Sequence, residues 1–214
     1  MYSRYTVTVS DDHPHIMHSL KMLFSTSDRF LITNEAACGK DLLSVLAVKN
    51  TDIVITDFSL GSDRSTIDGF TKLRALAARY PETHIVLLTS QKNVAILRKA
   101  CEYGIRAIVS KSDAVEETVL ACHHVVSQQD CYFSSSLSHL KAPLAKGNDR
   151  GNTLTPKELE VVRLFSSGYS LAEIAHRQNR TISTISTQKY NAMRRLGVST
   201  NIELIRYAYA QGLI

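Results

Sequence analysis

The chain has 214 residues, 44% of them hydrophobic, and a formal net charge of +5. This length allows one large domain or two small ones, and the composition fits a globular protein. No stretch is apolar and long enough to span a bilayer, and the start lacks the hydrophobic core of a signal peptide. We therefore expect a cytoplasmic protein without a membrane partner. The four cysteines (Cys38, Cys101, Cys122, Cys131) form no CxxC pair, which favours free thiols over a zinc site.

The positive charge is concentrated in the last third of the chain. From Arg150 onward there are nine Lys or Arg residues and four Asp or Glu residues, whereas residues 1–149 carry equal numbers of both signs. A basic module beside an electrically balanced one is typical of a nucleic-acid-binding domain attached to another domain.

Strand and helix patterns alternate five times in residues 1–127, which predicts a parallel sheet with helices on both faces. The predicted strands are Tyr5 to Val9, Phe30 to Thr33, Asp52 to Thr56, His84 to Leu88 and Arg106 to Val109. Five helices are predicted. The first begins at Pro14, the second includes 42–48, the third runs from Asp68 to Arg79, the fourth from Val94 to Tyr103, and the fifth follows a cap at Asp113. Residues 128–152 have no clear periodicity and are predicted to be a linker.

Helical signals resume in residues 153–214. Three capping boxes begin at Thr155, Ser170 and Thr200, each with a Glu three residues later, and predict the starts of three helices. A further helix runs from Thr181 to Leu196 and is closed by Gly197. Four short helices with tight turns resemble a helix-turn-helix unit, whose second helix would be the one from Thr181.

The helix from Thr181 has one apolar stripe, made by Ile185, Ala192 and Leu196, and an outer face without acids. Short polar side chains reach base edges and cations meet phosphates, so we expect this helix to bind double-stranded DNA. An ordinary solvated face is the alternative, but such faces usually mix acids with bases. The predicted base-reading residues are Ser186, Thr187 and Tyr190, with Lys189 reaching a guanine or a phosphate. Arg180, Arg194 and Arg195 would contact phosphates, and Thr181, Ser183 and Thr184 complete the predicted contact set.

Polar residues follow the predicted strands at the edge where parallel strands end together: Asp11, Asp12, Asp57, Thr89 and Lys111. Three carboxylates can hold a hard cation, for which Mg is the best candidate, and Asp57 could then be a nucleophile that forms an aspartyl phosphate. Lys111 would pair with the phosphoryl oxygens and Thr89 would hydrogen-bond to one of them. Read separately, these residues are strand-end turn formers and a surface cation.

An enzymatic reading is a phosphatase that uses Asp57 as a transient nucleophile. A haloacid-dehalogenase-type site would need a second Asp two residues later, where Ser59 stands. The sequence has no Walker loop, zinc motif or nucleophile elbow either, so we do not expect an enzyme.

Together, these motifs resemble a known family. Asp11-Asp12, Asp57, Thr89-Ser90 and Lys111 look like the signature of response-regulator receiver domains, and Leu154 to Val198 looks like a LuxR-type helix-turn-helix. The chain therefore resembles the NarL/FixJ family of two-component response regulators, and its Thr184-Ile-Ser-Thr-Gln-Lys189 stretch looks most like the Rcs-type capsule regulators. The expected fold is a (βα)5 doubly wound receiver domain, residues 1–127, followed by a small all-α four-helix domain, residues 153–214.

The resemblance implies a phosphorylated Asp57, a metal site completed by the Ser59 carbonyl, and phosphotransfer from a cognate histidine kinase or phosphotransfer protein. It also implies a homodimer, or a heterodimer with another regulator, and control of transcription. Three positions depart from the pattern: Gly61 replaces a proline, Ile108 stands where many receivers have an aromatic switch residue, and Gln188 replaces a histidine. These departures leave open a phosphorylation-independent auxiliary regulator that binds DNA with a partner.

The last helix, Asn201 to Gln211, is the predicted dimerisation surface. Ile202, Ile205, Tyr209 and Leu213 offer more apolar surface than so small a domain hides easily. A twofold dimer would read two half-sites about one helical turn apart.

Overall fold

A computed structural model describes residues 4–60, 68–128, 130–141, 154–211 and 213–214 of the chain. They form two compact units, a larger one made by most residues before 142 and a smaller one made mainly by residues after 153. The predicted fold class is confirmed for both, since the first is an α/β unit with a parallel sheet and the second is helical.

The larger unit contains a six-stranded sheet with strand order β2-β1-β3-β4-β5-β6, in which all neighbouring strands are parallel. Valine and isoleucine dominate its central strands, and β3 is buried along its whole length. The strands are β1 (Tyr5–Ser10), β2 (Phe30–Ala36), β3 (Ile53–Asp57), β4 (His84–Thr89), β5 (Ala107–Ser110) and β6 (Tyr132–Phe133).

Helices follow each of the first five strands. They are α1 (Pro14–Ser25), α2 (Gly39–Val48), α3 (Gly69–Arg79), α4 (Val94–Glu102) and α5 (Glu116–Ser127). Leu20 and Phe24 of α1 and Val125 of α5 join the core cluster of the sheet. Because β1 lies between β2 and β3, the winding direction reverses there, which opens a crevice at the carboxyl ends of β1 and β3.

The structure differs from the prediction after α5. Part of the predicted linker 128–152 belongs to the sheet, because Tyr132 N–H donates to Arg106 O at 2.8 Å and Ser134 N–H donates to Ile108 O at 3.1 Å. A 3-10 helix, Ser135–Leu140, follows β6. Residue 129 and residues 142–152 of that segment lie outside the described residues, as do 61–67 with Gly61.

The predicted cap of α5 is also wrong. The helix begins at Glu116, its N-cap is Val115, and Asp113 lies outside it. The Asp113 carboxylate accepts the backbone N–H and the hydroxyl of Ser136 instead, at 3.2 and 2.9 Å. Asp113 therefore binds Ser136, far along the chain, instead of capping α5 as the sequence suggested.

The smaller unit contains α6 (Pro156–Ser166), α7 (Leu171–Arg177), α8 (Ile182–Leu196) and α9 (Asn201–Ala210). All three predicted capping boxes are present, at Thr155, Ser170 and Thr200. Gly197 ends α8 in the left-handed region, with φ 63°. Within the described ranges, no helix has the length and apolarity needed to cross a membrane.

Candidate functional site

The register of the sheet brings the predicted acidic residues together. Ser10 pairs with Thr56 across β1 and β3, so the residues that follow them, Asp11 and Asp57, emerge side by side. Lys111 directly follows β5, and its Nζ lies 2.7 Å from Asp57 Oδ2 and 2.7 Å from Asp11 Oδ2. Only 1% of the Asp11 side chain and 10% of each of the other two is exposed, so the three charges interact in a largely dehydrated crevice.

Burial controls the ionisation of the central carboxylate. Burial raises the pKa of Asp57 and outweighs the opposing effects of the hydrogen bond and the charge of Lys111. For Lys111, burial lowers the pKa, but its hydrogen bonds to Asp11 and Asp57 prevail and the pKa lies above its usual value. The site thus holds a charged lysine against a carboxylate that burial disfavours in its charged form.

Four side chains at this edge are close enough to share one metal ion. Ligand atoms of Asp11, Asp12, His13 and Asp57 all lie within 4.8 Å of one another. Three of the four offer carboxylate oxygens, which is the donor chemistry that Mg²⁺ prefers. Ser59, two residues after Asp57, is exposed at the same end of β3.

His13 was not among the predicted site residues. Its Nδ1 lies 3.0 Å from Asp11 Oδ1 and 2.7 Å from Asp12 Oδ1, and its backbone N–H donates to Asp11 Oδ1 at 2.9 Å. His13 therefore holds the two acids in place. Its position directly after Asp11-Asp12 was the available signal.

Thr89 and Ile108 occupy the neighbouring strand ends. Thr89 is buried at the end of β4, and its hydroxyl oxygen accepts the N–H of Gln91 at 3.0 Å. Ile108 is fully buried within β5, where it pairs with Leu87. The predicted switch position thus holds an aliphatic core residue.

Lys72 of α3 is a second lysine at the site that the sequence analysis missed. It is fully buried, and its Nζ donates to the backbone carbonyls of Asp57 at 2.6 Å and Phe58 at 3.1 Å. Its position four residues after Asp68 was the only sequence signal, because lysines on helices are usually exposed.

The second candidate site is the outer face of α8. Ile185, Ala192 and Leu196 are buried, as predicted from their spacing. The other side of the helix faces solvent, and 65% of Tyr190 is exposed. The exposed members of the predicted contact set are Arg180, Thr181, Ser183, Ser186, Thr187, Tyr190 and Arg194.

Two threonines of this set have local partners. The hydroxyls of Thr181 and Thr184 lie 2.8 Å apart at the helix start, where Thr181 also caps the N–H of Thr184. The Thr187 hydroxyl donates to Ser183 O at 3.0 Å, and its oxygen can still accept a hydrogen bond.

Two cations of the set contact their own unit. Lys189 Nζ lies 4.4 Å from the centre of the Phe165 ring and donates to Asn201 Oδ1 at 2.9 Å. Arg195 Nε lies 3.3 Å from Oε1 of the buried Glu158, the same residue that closes the capping box of α6. The sequence analysis assigned both to DNA and missed these contacts, because they join different helices.

Two family descriptions match the chain. "Response regulator receiver domain" matches residues 7–122, and "Bacterial regulatory proteins, luxR family" matches residues 152–208. The chain belongs to the NarL/FixJ-type response regulators, which join a receiver domain to a LuxR-type domain.

Several relatives cover nearly the whole chain. Transcriptional regulatory protein RcsB of Escherichia coli strain K12 is 31% identical over 201 residues, which are 94% of this chain and 92% of RcsB. The structure of RcsB from Salmonella enterica serovar Typhimurium, bound to a promoter with the phosphomimetic BeF3-, has a TM-score of 0.85 and 30% identity, and the match covers 98% of this chain and 100% of that one. A structure of two RcsB dimers bound to two parallel DNAs has a TM-score of 0.82 and 30% identity, over 97% and 99% of the two chains. The chain is thus a two-component regulator of the RcsB-like type.

Proposed function

We propose that this protein controls transcription through phosphorylation of Asp57. The observation that carries the proposal is the position of Lys111 Nζ, 2.7 Å from both Asp11 and Asp57, at the end of three parallel strands. A carboxylate there attacks the phosphorus of a phosphohistidine on the kinase or phosphotransfer partner. The new O–P bond forms as the P–N bond breaks, and the histidine nitrogen is the leaving group. The role is regulatory rather than enzymatic, and a regulator of chromosomal genes works in the cytoplasm.

The residues around Asp57 have separate roles in this transfer. Asp11, Asp12, Asp57 and the Ser59 carbonyl would hold Mg²⁺, which when bound reduces the repulsion between the carboxylates and the phosphoryl group. Lys111 exchanges one of its carboxylate contacts for a phosphoryl oxygen, and the Thr89 hydroxyl donates to another. Burial of Asp57 keeps water away from the acyl phosphate.

The phosphorylation test uses the full-length protein, Mg²⁺ and acetyl phosphate. Intact-mass spectrometry is expected to show one added phosphoryl group in the wild type and none in Asp57→Ala. Asp28→Ala, at an exposed acid of the same unit, is the matched control and should be labelled like the wild type. Equal labelling of Asp57→Ala would contradict the assignment.

The proposal extends to DNA. The exposed face of α8 enters the major groove, and α9 joins two protomers into a dimer, either with a second copy or with another regulator. The RcsB dimers on DNA support this part, as does the excess positive charge after residue 150. We assign residues 1–127, together with β6 and the 3-10 helix that follows it, to the receiver function and residues 153–214 to DNA binding.

One observation favours a second candidate. Ile108 is a buried aliphatic residue at the position of the aromatic switch, so a signal carried by a rotating ring is absent there. An auxiliary regulator that binds DNA with a partner protein and without phosphorylation would keep α8 and lose dependence on Asp57. Operator binding by Asp57→Ala at wild-type affinity, with and without phosphodonor, would favour this second function.

A further inference from the structure

Lys72 binds the chain segment that follows the phosphoacceptor. An ammonium group has three N–H donors, and the three acceptors are Asp57 O at 2.6 Å, Phe58 O at 3.1 Å and Asp68 Oδ1 at 3.3 Å. Lys72 has no exposed surface, and Asp68 is 13% exposed at its side chain. A buried lysine is costly unless it is paired and hydrogen-bonded, so this arrangement is a specific feature of the site.

Asp68 also binds the peptide group between Ser59 and Leu60. Its Oδ1 also accepts the N–H of Leu60 at 2.8 Å. The peptide bond between Ser59 and Leu60 is planar and trans, since the described residues contain no cis peptide bond. The Ser59 carbonyl therefore points in the opposite direction from the Leu60 N–H, away from the buried pair of Lys72 and Asp68.

The same pair joins the end of β3 to the start of α3. Gly69 N–H donates to Phe58 O at 3.1 Å, so this carbonyl receives hydrogen bonds from both Lys72 and the helix start. These contacts link residues 57–60 to 68–72 directly. The backbone at 57–60 is thus held in place by bonds that do not depend on residues 61–67.

We propose that Lys72 and Asp68 are positioning residues that orient the Ser59 carbonyl as a metal ligand beside Asp57, an inference that rests on the proposed function. They supply the rigidity that the family pattern places in a proline at position 61, where this chain has Gly61. We assign neither side chain a contact with the phosphoryl group. They act on the affinity of the site for the metal and on the geometry of the backbone at 57–60.

The test is the affinity of the full-length protein for Mg²⁺, measured by isothermal titration calorimetry without phosphodonor at about pH 7. Lys72→Met keeps much of the side-chain volume and removes the three donors, and we expect the dissociation constant to rise about 10- to 100-fold, the usual effect of losing a residue that supports a metal ligand. Arg74→Met, on the exposed face of the same helix, is the matched control and should bind like the wild type.

A second pair of variants separates orientation from general stability. In Asp68→Asn an amide oxygen can still accept the Leu60 N–H, whereas Asp68→Ala removes the acceptor. We expect Asp68→Asn to keep most of the affinity that Asp68→Ala loses, at equal thermal stability in circular dichroism. This pair also carries the test if Lys72→Met does not fold.

The two proposals fail separately. Wild-type affinity for Mg²⁺ in both Lys72→Met and Asp68→Ala overturns the positioning role, whether or not Asp57 is labelled. Equal losses in Asp68→Asn and Asp68→Ala overturn the orientation through Leu60. Absence of a phosphoryl group on the wild type, with the expected Mg²⁺ affinities, instead contradicts the phosphorylation function.

Discussion

Lys111 Nζ lies 2.7 Å from Asp57 Oδ2, yet burial still raises the pKa of Asp57 above its usual value. The charged form of Asp57 therefore stabilises the folded state less than its ion pair with Lys111 alone would suggest. The residue that carries the function is a site of reduced stability, as is common where a charged group is held dehydrated for chemistry.

Asp57→Asn is accordingly expected to stabilise the protein in the absence of Mg²⁺. The amide carries no charge to bury, and Lys111 keeps its contact with Asp11. We expect a rise of a few degrees in Tm, the size usual for a single stabilising substitution. Added Mg²⁺ should reduce the difference, because it binds the folded wild type more tightly than the variant. A lower Tm for Asp57→Asn without metal would refute this explanation.

Lys72 is expected to make stability depend on pH. Burial lowers its pKa from 10.5 to about 8, although Asp68 and Asp57 oppose the shift. Between these pH values the unfolded chain binds more protons here than the folded one, so the free energy of unfolding rises with pH, by up to about 3 kcal/mol. Lys111, whose pKa is raised, has the opposite sign and loses its contribution as pH rises through its folded pKa.

Urea denaturation at about pH 8 and about pH 10 measures this effect. The rise should be present in the wild type and in Arg74→Met and absent in Lys72→Met. The same rise in Lys72→Met would assign the pH dependence to another group.

Adjacent arginines of α8 are expected to differ in function. Arg194 is exposed, so Arg194→Ala should weaken binding to specific and scrambled duplexes alike and lower the salt slope by about 1. Arg195 pairs with the buried Glu158, so Arg195→Ala should lower the free energy of unfolding by about 1 kcal/mol. Affinity titrations at several salt concentrations, together with thermal melts of both variants, make the comparison. A stability loss confined to Arg194→Ala would reverse our assignment.

The centre of α8 is expected to read sequence. Thr187 and Tyr190 are exposed on the outer face, and Thr187→Ala or Tyr190→Ala should relax preference at particular base pairs by about 1–3 kcal/mol. The measurement is the ratio of affinities for the operator and for single-base variants of it. If Thr187→Ala loses the same affinity on operator and scrambled DNA, this face does not read bases.

Dimerisation on DNA is expected to depend on an apolar strip of α9. Ile202, Ile205 and Tyr209 are exposed by 65, 40 and 48%, whereas Leu213 packs against the core of its own unit and leaves this strip. Ile202→Glu should weaken dimer formation in sedimentation analysis and shorten the footprint to one half-site. Val48→Glu, an equal change at an exposed apolar residue of α2, is the control. An unchanged footprint for Ile202→Glu would exclude α9 as the interface.

The amino-acid sequence alone determined the features that depend on near neighbours or on the repeat of the elements. A capping box joins residues three apart, so those at Thr155, Ser170 and Thr200 were predictable, as was the left-handed turn at Gly197. The meeting of Asp11, Asp57 and Lys111 followed from one rule, because parallel strands end at the same edge of their sheet.

Tertiary structure alone decided which polar residues are withdrawn from solvent, because contacts between distant segments leave no periodic mark on a sequence. Lys72 is buried because Asp68 and two carbonyls surround it, and Arg195 turns to Glu158 of another helix. Asp113 binds Ser136 instead of capping α5. The two-residue strand β6 forms only because it can pair with the edge of β5. In these cases the contacts that form in the folded chain outweigh the local preference that the sequence displays.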